Sequence, residues 1–316
     1  MATVCIACPA PRGSRTGNRV TALRWAGLLR GLGHQVRWWV DDADALIALH
    51  AVKSAAAVAD FKKRFPGRPA CVALTGTDIF QDGSTAGVLH ETLRLSDRVI
   101  ALQRRMADAV SAEHRHKVRV IFQSFVPPDR LPTPRADRFD VCVLGHLRRV
   151  KDPLLAAAAV RGVPADSRLH VVQVGGVLEA EYAELAKREQ AANRRYEWRG
   201  ELPQAEAVRA LAGCRLLVMS SHSEGGPSAV SEAVACGVPV VSTPTSGVVG
   251  LLGEGYPGYF PVGDVAKLRE LLLRCERDAA FLAELRTACD RVRPLIDPAT
   301  ERAAWAGLLT ELGLHG

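Results

Sequence analysis

No stretch of eighteen consecutive apolar residues occurs in the chain, so the sequence offers no membrane-spanning helix. The N-terminus has no basic segment followed by a long apolar run, so no secretory leader is expected. Aromatic residues make up only 5% of the total, and the arginines are dispersed without aromatics between them. That combination argues against a nucleic-acid-binding face. Internal repeats and low-complexity segments are absent. The eight cysteines are scattered, and the one C-x-x-C, Cys5 and Cys8, lies within an apolar strand and lacks a second pair at zinc-like spacing. They read as core thiols of a protein in the reducing cytoplasm.

The 316 residues suffice for two domains of ordinary size, and a hydrophobic content of 48% supports full cores. The net charge of +7 is uneven: residues 1–136 hold 20 Lys/Arg against 11 Asp/Glu, and the remainder is slightly acidic. The basic half points to a small anionic ligand or an acidic partner, or else to an ordinary Arg-rich solvated face.

Short apolar strands alternate with helical patterns, the signature of parallel sheets covered on both faces. In the first half the expected strands are Val4–Cys8, Val36–Val40, Leu46–Leu49, Cys71–Leu74, Arg98–Leu102 and Val118–Phe122; the expected helices are Val20–Gly33, Ser54–Phe65 and Arg104–Glu113. The segment VPPDRLPTPRA, with four prolines, is the best boundary in the chain. Alternation resumes with strands Val141–Leu144, Leu169–Val174, Leu216–Met219 and Val238–Ser242, and with helices Leu154–Val160, Leu178–Gln190, Gln204–Ala212 and Ser228–Ala235. Residues 265–314 read as mostly helical, with Trp305 belonging either to a return onto the first domain or to the second domain's own core. The expected division is 1–130 and 137–297, with 298–316 packing back on the first. Two doubly wound lobes would bring the carboxyl ends of their strands to one cleft, where such sheets bind ligands.

The densest functional signal starts at Ser221: SHSEGGPSAVSEAVACGVPV. A strand that ends in a Gly-rich turn and opens a helix presents free N–H groups to an anion. Glu224 stands at the mouth of the loop and Glu232 about one turn into the helix, with Gly225, Gly226, Pro227 and Ser228 between them; His222 adjoins the loop as a donor contact or a structural histidine. The pattern resembles the E-x7-E signature of GT-B glycosyltransferases of the GT4-like group. That resemblance implies that Glu232 binds ribose hydroxyls and Glu224 contacts the transferred sugar. The group usually shows Gly-Arg-Leu after an earlier strand, with a lysine five positions after the arginine. Here Gly145-His146-Leu147 puts a histidine in the arginine's place, Lys151 matches the lysine, and Arg148 can share the load. Lysine or arginine can neutralise a diphosphate leaving group without a metal. Gly175-Gly176 is either the group's glycine pair beside the nucleotide or a plain turn.

On the acceptor side, Pro9–Arg19 joins a strand to a helix with two glycines (Gly13, Gly17), two hydroxyls (Ser14, Thr16) and three arginines (Arg12, Arg15, Arg19), beside Asn18. This makes an anion cradle, and it is neither a P-loop nor G-x-G-x-x-G, so neither ATP nor NAD is implied. Two further strand ends carry His50 and Lys53, and Thr75-Gly76-Thr77-Asp78. Asp78 reads as a base or a cap, and His50 as a proton shuttle or a core hydrogen-bonder. Asp42-Ala43-Asp44 imitates a metal-binding D-x-D but sits in a turn, where aspartate is favoured for backbone reasons. No metal and no cofactor are expected in the transfer chemistry.

Six segments together carry a closer resemblance: PAPRGSRTGNRVTALRWAGLLRGLGH, LIALHAVKSA, VALTGTDIF, VLGHLRRVKDP, GLLGEGYPGYFPVGD and DPATERAAW. They resemble the SenB-type selenosugar synthases of selenoneine biosynthesis. This resemblance implies transfer of a sugar from UDP-N-acetylglucosamine or UDP-glucose to the selenium of selenophosphate, with pathway partners that supply selenophosphate or use the selenosugar. Arg15, Lys53, Lys151 and Glu224 are then the expected catalytic set. Pro227-Ser228 after Gly-Gly departs from the pattern. The rival readings are a hexosyltransferase with a sugar or lipid acceptor, a UDP-sugar epimerase, and a silent nucleotide-sugar binder.

Overall fold

The computed structural model describes residues 1–14, 16–38, 42–80 and 85–315. The expected site residue Arg15 and the expected strand end Val40 lie outside the described residues. The chain forms two compact units, Met1–Gln123 with Pro298–Gly316, and Ser124–Asp297.

The first unit runs β1 (Thr3–Ala7), α1 (Gly17–Gly31), β2 (Gln35–Trp38), β3 (Ala45–Leu49), α2 (Ala55–Arg64), β4 (Ala70–Ala73), α3 (Ala86–Leu95), β5 (Arg98–Ala101), α4 (Arg104–Ala109) and β6 (Val118–Val120). Its strands pair in parallel in the order β2-β1-β3-β4-β5-β6. Strands β3 and β4, ALIAL and ACVA, are buried at every position. Helices cover both faces of a parallel sheet, so central strands are apolar throughout instead of alternating. The edge strand β2 does alternate, with Gln35 and Arg37 exposed.

The second unit runs β7 (Phe139–Leu144), α5 (Leu155–Arg161), β8 (Leu169–Val174), α6 (Ala180–Ala192), β9 (Tyr196–Trp198), α7 (Gln204–Ala212), β10 (Leu216–Met219), α8 (Ser228–Ala235), β11 (Val240–Ser242), α9 (Ser246–Leu252), α10 (Val265–Arg277) and α11 (Ala279–Val292). Its sheet is also parallel, in the order β11-β10-β7-β8-β9. The strand order reverses between β1 and β3 in the first unit and between β7 and β10 in the second. At such a reversal the flanking crossovers leave on opposite faces, and a crevice opens at the carboxyl ends of the strands.

Several boundaries differ from the sequence expectation. Helix α1 starts three residues before Val20, because its first turn is polar and carries no periodic signal. Helix α4 ends at Ala109, where Val110 turns extended and Arg115 donates to its carbonyl. Strand β9 has charged neighbours and α9 has two glycines, so neither advertises its period. The long helical tail is cut by Asp264 and Asp278, whose carboxylates accept the N–H of Lys267 and Phe281 as N-caps. No described helix is long and apolar enough to cross a membrane.

The closing helix α12 (Pro298–Glu311) completes the first unit's core. Trp305 is fully buried and meets Trp25 of α1 edge-on, with ring centroids 4.8 Å apart. Arg24 donates two hydrogen bonds to the buried Glu301 carboxylate. Glu311 bridges Arg119 in β6 and Arg98 at the start of β5, and these guanidiniums pull its carboxyl down to about 2. Trp305→Ala is expected to lower the stability of this unit by about 3–5 kcal/mol, measured by denaturant unfolding; a loss below about 1 kcal/mol would mean that α12 is not integral to the core.

Candidate active site

In the second unit the loops after β7 and β10 leave the sheet on either side of its reversal. The first runs from Gly145 into a 3-10 turn, Arg149–Lys151, which Asp152 ends in the left-handed region at φ 42°. The second carries Ser220, Ser221 and Glu224. Lys151 Nζ donates to Glu224 Oε1 at 2.5 Å, and Ser221 Oγ donates to the same oxygen at 2.5 Å. Ser220 Oγ donates to the carbonyls of Lys151 (3.0 Å) and Asp152 (2.8 Å), which ties the two loops together.

A third loop, between β11 and α9, closes on the same place. Thr243 Oγ1 donates to the Ser221 carbonyl at 2.6 Å, and the Gly247 N–H donates to the Glu224 carbonyl at 3.0 Å. A Cβ at Gly247 would stand 2.5 Å from that carbonyl oxygen, so a side chain there displaces the Glu224 loop. Sequence reasoning missed Ser221, Thr243 and Gly247. Thr243 and Gly247 meet backbone carbonyls of the Ser221–Glu224 loop, and Ser221 meets the Glu224 carboxylate within its own loop; no local pattern announces such partners.

Glu232 lies in α8 and is only partly exposed, and its carboxylate has no hydrogen bond or ion pair to another described residue. Desolvation pushes its carboxyl up to about 7. An unpaired buried carboxylate is costly, so the group is poised to accept hydroxyl donors that compensate it.

The neighbouring candidates divide. His146 Nδ1 accepts the N–H of Gly176 at 3.1 Å, so the ring pins the β7 and β8 loops together where the group's arginine would stand. A Cβ on Gly175 would fall 2.0 Å from the Gly145 carbonyl oxygen, so this glycine serves close backbone approach. Arg148 differs from both: its Nε is buried and makes no hydrogen bond to a described residue. His222 faces Asp152 (3.6 Å) rather than Glu224. Gly225 and Gly226 lie partly buried beside Glu224. Pro227 is the N-cap of α8, one position before the helix proper. The Ser228 N–H, expected to face an anion, is instead spent on the Gly226 carbonyl at 2.9 Å.

In the first unit the candidate loops follow β1, β3 and β4, which are neighbours in the sheet. Thr16 precedes α1 without a side-chain cap, and no acidic residue occupies the helix's first turn. The N–H groups of Gly17 and Asn18 therefore begin a helix whose positive dipole end no carboxylate of its own first turn offsets. Ser14 Oγ and Thr16 Oγ1 lie 2.9 Å apart, and Gly13 turns the loop at φ 81°. Arg19 stacks on the Trp38 ring at 4.5 Å, so its guanidinium is held against the sheet edge. Lys53 is exposed.

His50 and Asp78 do not act as a free proton pair. Asp78 is buried, and its carboxylate accepts the N–H groups of Ala51 (2.8 Å), Thr75 (3.0 Å) and Gly76 (2.8 Å). It organises the two loops, and this corrects its reading as a general base. His50 sits at φ 68°, a conformation that costs a histidine on the order of 1 kcal/mol. Its Nδ1 accepts the Lys53 N–H (3.3 Å), so Nε2–H faces Thr77 Oγ1 at 3.0 Å. Burial lowers the pKa of His50 more than the nearby Asp78 raises it, so the ring stays neutral. The D-x-D segment is structural: Asp42 pairs with Arg68, and Asp44 accepts the Thr3 N–H. All eight cysteines are buried free thiols.

The sequence model of the family described as glycosyl transferases group 1 matches residues 129–291, more than half of the chain. The chain belongs to this glycosyl transferase family. Comparison with curated protein sequences gave no match. Among solved structures, the chain is similar to Anabaena Alr3699/HepE in complex with UDP and glucose, with a TM-score of 0.79, 16% identity, and 98% of this chain and 100% of that one covered. It is also similar to sucrose-phosphate synthase from Thermosynechococcus elongatus, with a TM-score of 0.74, 15% identity and 99% of each chain covered. The fold of this group 1 transferase is thus that of GT-B glycosyltransferases.

Glu232 gives a pH signature. A carboxyl raised from 4.5 to about 7 favours folding below its unfolded pKa, and that contribution is lost as pH rises through 7. Glu232→Gln is therefore expected to stabilise the unliganded transferase by up to about 3 kcal/mol at pH 8 and by little near pH 4.5. Thermal melts across that range check it, and an equal effect at both ends would show that Glu232 is not desolvated.

Proposed function

We propose that this transferase takes a hexosyl group from a UDP-sugar, UDP-N-acetylglucosamine or UDP-glucose, and forms a carbon–selenium bond with selenophosphate. The selenium lone pair attacks the anomeric carbon as the bond to the UDP oxygen breaks. Water then cleaves the selenium–phosphorus bond, which leaves a 1-selenosugar, UDP and phosphate.

On the donor side the support is the loop cluster around Glu224. Lys151 is a charged donor held in place by an ion pair, and Arg148 has no anionic partner among the described residues. Both suit a diphosphate leaving group, whose negative charge grows in the transition state. Glu232 would accept the ribose hydroxyls. The likeness in fold to HepE, whose structures hold UDP and UDP-glucose, favours UDP-sugar as donor.

The observation that carries the acceptor is that, among the described residues, neither base candidate beside the basic cradle is free. Of the two base candidates, His50 is neutral with both ring nitrogens occupied, and Asp78 is spent on backbone amides. An alcohol acceptor needs deprotonation, whereas selenophosphate arrives as a nucleophile and needs only to be held. The α1 N-terminus, Ser14, Thr16, Arg15 and Lys53 would hold its phosphate, with the exposed Thr77 beside them.

Mixing the protein with UDP-sugar, with and without selenophosphate, is expected to release UDP and a 1-selenosugar only when selenophosphate is present. UDP released with a hexose or lipid acceptor, an epimerised sugar, or no product would each overturn the proposal. Arg15→Ala combined with Lys53→Ala should raise the KM for selenophosphate by roughly 100-fold or more and leave the KM for UDP-sugar nearly unchanged. Lys151→Met should instead cut kcat by roughly 100-fold.

A further inference from the structure

We propose that His90, Glu113 and His114 form a zinc site on the first unit, remote from the transfer chemistry. Their ligand atoms all lie within 4.8 Å of one another. His90 projects from α3, while Glu113 and His114 belong to the segment between α4 and β6. The two imidazole rings lie 5.1 Å apart between centroids, and Glu113 Oε2 stands 4.0 Å from His114 Nε2.

His114 supplies the second, independent sign. Only 2% of it is exposed, and its Nε2 makes no hydrogen bond to a described residue. A buried ring nitrogen without a partner costs about 1–3 kcal/mol, and a metal ion would satisfy it.

The donor set selects the ion. Two imidazoles and one carboxylate suit zinc, and a water completes a tetrahedron. Magnesium and calcium prefer all-oxygen shells. Zinc bonds of about 2.0–2.2 Å require the donors to draw in by roughly 1 Å from their present spread. His90 and Glu113 are exposed and free to move by that much, while the buried His114 stays fixed. Lys117, the nearest ammonium on the same segment, is turned elsewhere: its Nζ donates to the carbonyls of Leu93 (3.0 Å), Arg94 (2.9 Å) and Ser96 (2.8 Å). These bonds already dock the segment on the end of α3, so the metal would find two of its three ligands on surfaces held in register.

The segment precedes β6 and α3 leads into β5, which places the site at the amino ends of the strands. The active-site loops emerge at the carboxyl ends. The ion would therefore cross-link the sheet's far edge without touching substrate. Equilibrium dialysis of the metal-free full chain against Zn2+ is expected to show one bound equivalent. His90→Ala should weaken it more than about 100-fold, beyond the roughly 10–100-fold lost when only a ligand's hydrogen-bond partner is removed. Glu113→Gln should weaken it at least about tenfold. Both changes fall on exposed side chains, so the fold survives, and transferase turnover should be unaffected by either. Co2+ in place of zinc should give visible d–d bands without a thiolate charge-transfer band. No bound equivalent, equal uptake by His90→Ala, or a thiolate band that moves the ion to a cysteine would overturn the proposal.

Discussion

Lys151 and Glu224 lie 73 residues apart in sequence, yet their side chains meet at 2.5 Å because strand order reverses between β7 and β10. Only at that reversal do two loops leave the same end of a parallel sheet with room between them. Ser220, Ser221, Thr243 and Gly247 then fix each loop against the next through backbone carbonyls. The ion pair is therefore the product of topology, and the hydroxyls and the glycine hold it in place. A lysine and a glutamate brought together without that frame would lie at the surface, where such pairs contribute little.

The two carboxylates of the same motif are treated in opposite ways. Glu224 is neutralised by Lys151 and Ser221, whereas Glu232 is left with desolvation alone. The first is held in one geometry. The second stores an unfavourable energy that a hydroxyl-bearing ligand can relieve. A site that binds and releases a ligand benefits from this asymmetry, because binding energy comes from relief of strain as well as from new contacts.

How much the sequence discloses depends on where a residue's partner lies. Glu224, Glu232 and Lys151 stand in strand–loop–helix contexts that a linear reading recovers, and the alternation of buried strands and helices is equally plain. Asp78 misleads a linear reading because its partners are amides, one of them on another loop. Thr243 and Gly247 are silent for the same reason, because they meet backbone carbonyls of another loop. His90 and His114 sit on different elements with no motif between them, and only folding brings their rings together. The first turn of α1 and the glycine-bearing α9 escape notice because their stability comes from packing and not from periodic hydrophobicity.

Trp305 has a further consequence, for biosynthesis. The first unit's core contains Trp305, Leu308 and Leu309, so the first 123 residues leave the ribosome with an apolar groove that nothing yet fills. Ser124–Asp297 must be made before the missing helix appears, a wait of roughly 10–40 s at ordinary rates of synthesis. The nascent chain thus carries an unfinished half past a sibling that can mature first. Premature termination upstream of α12 would leave that half as a natural client for chaperones, whatever the state of the catalytic loops.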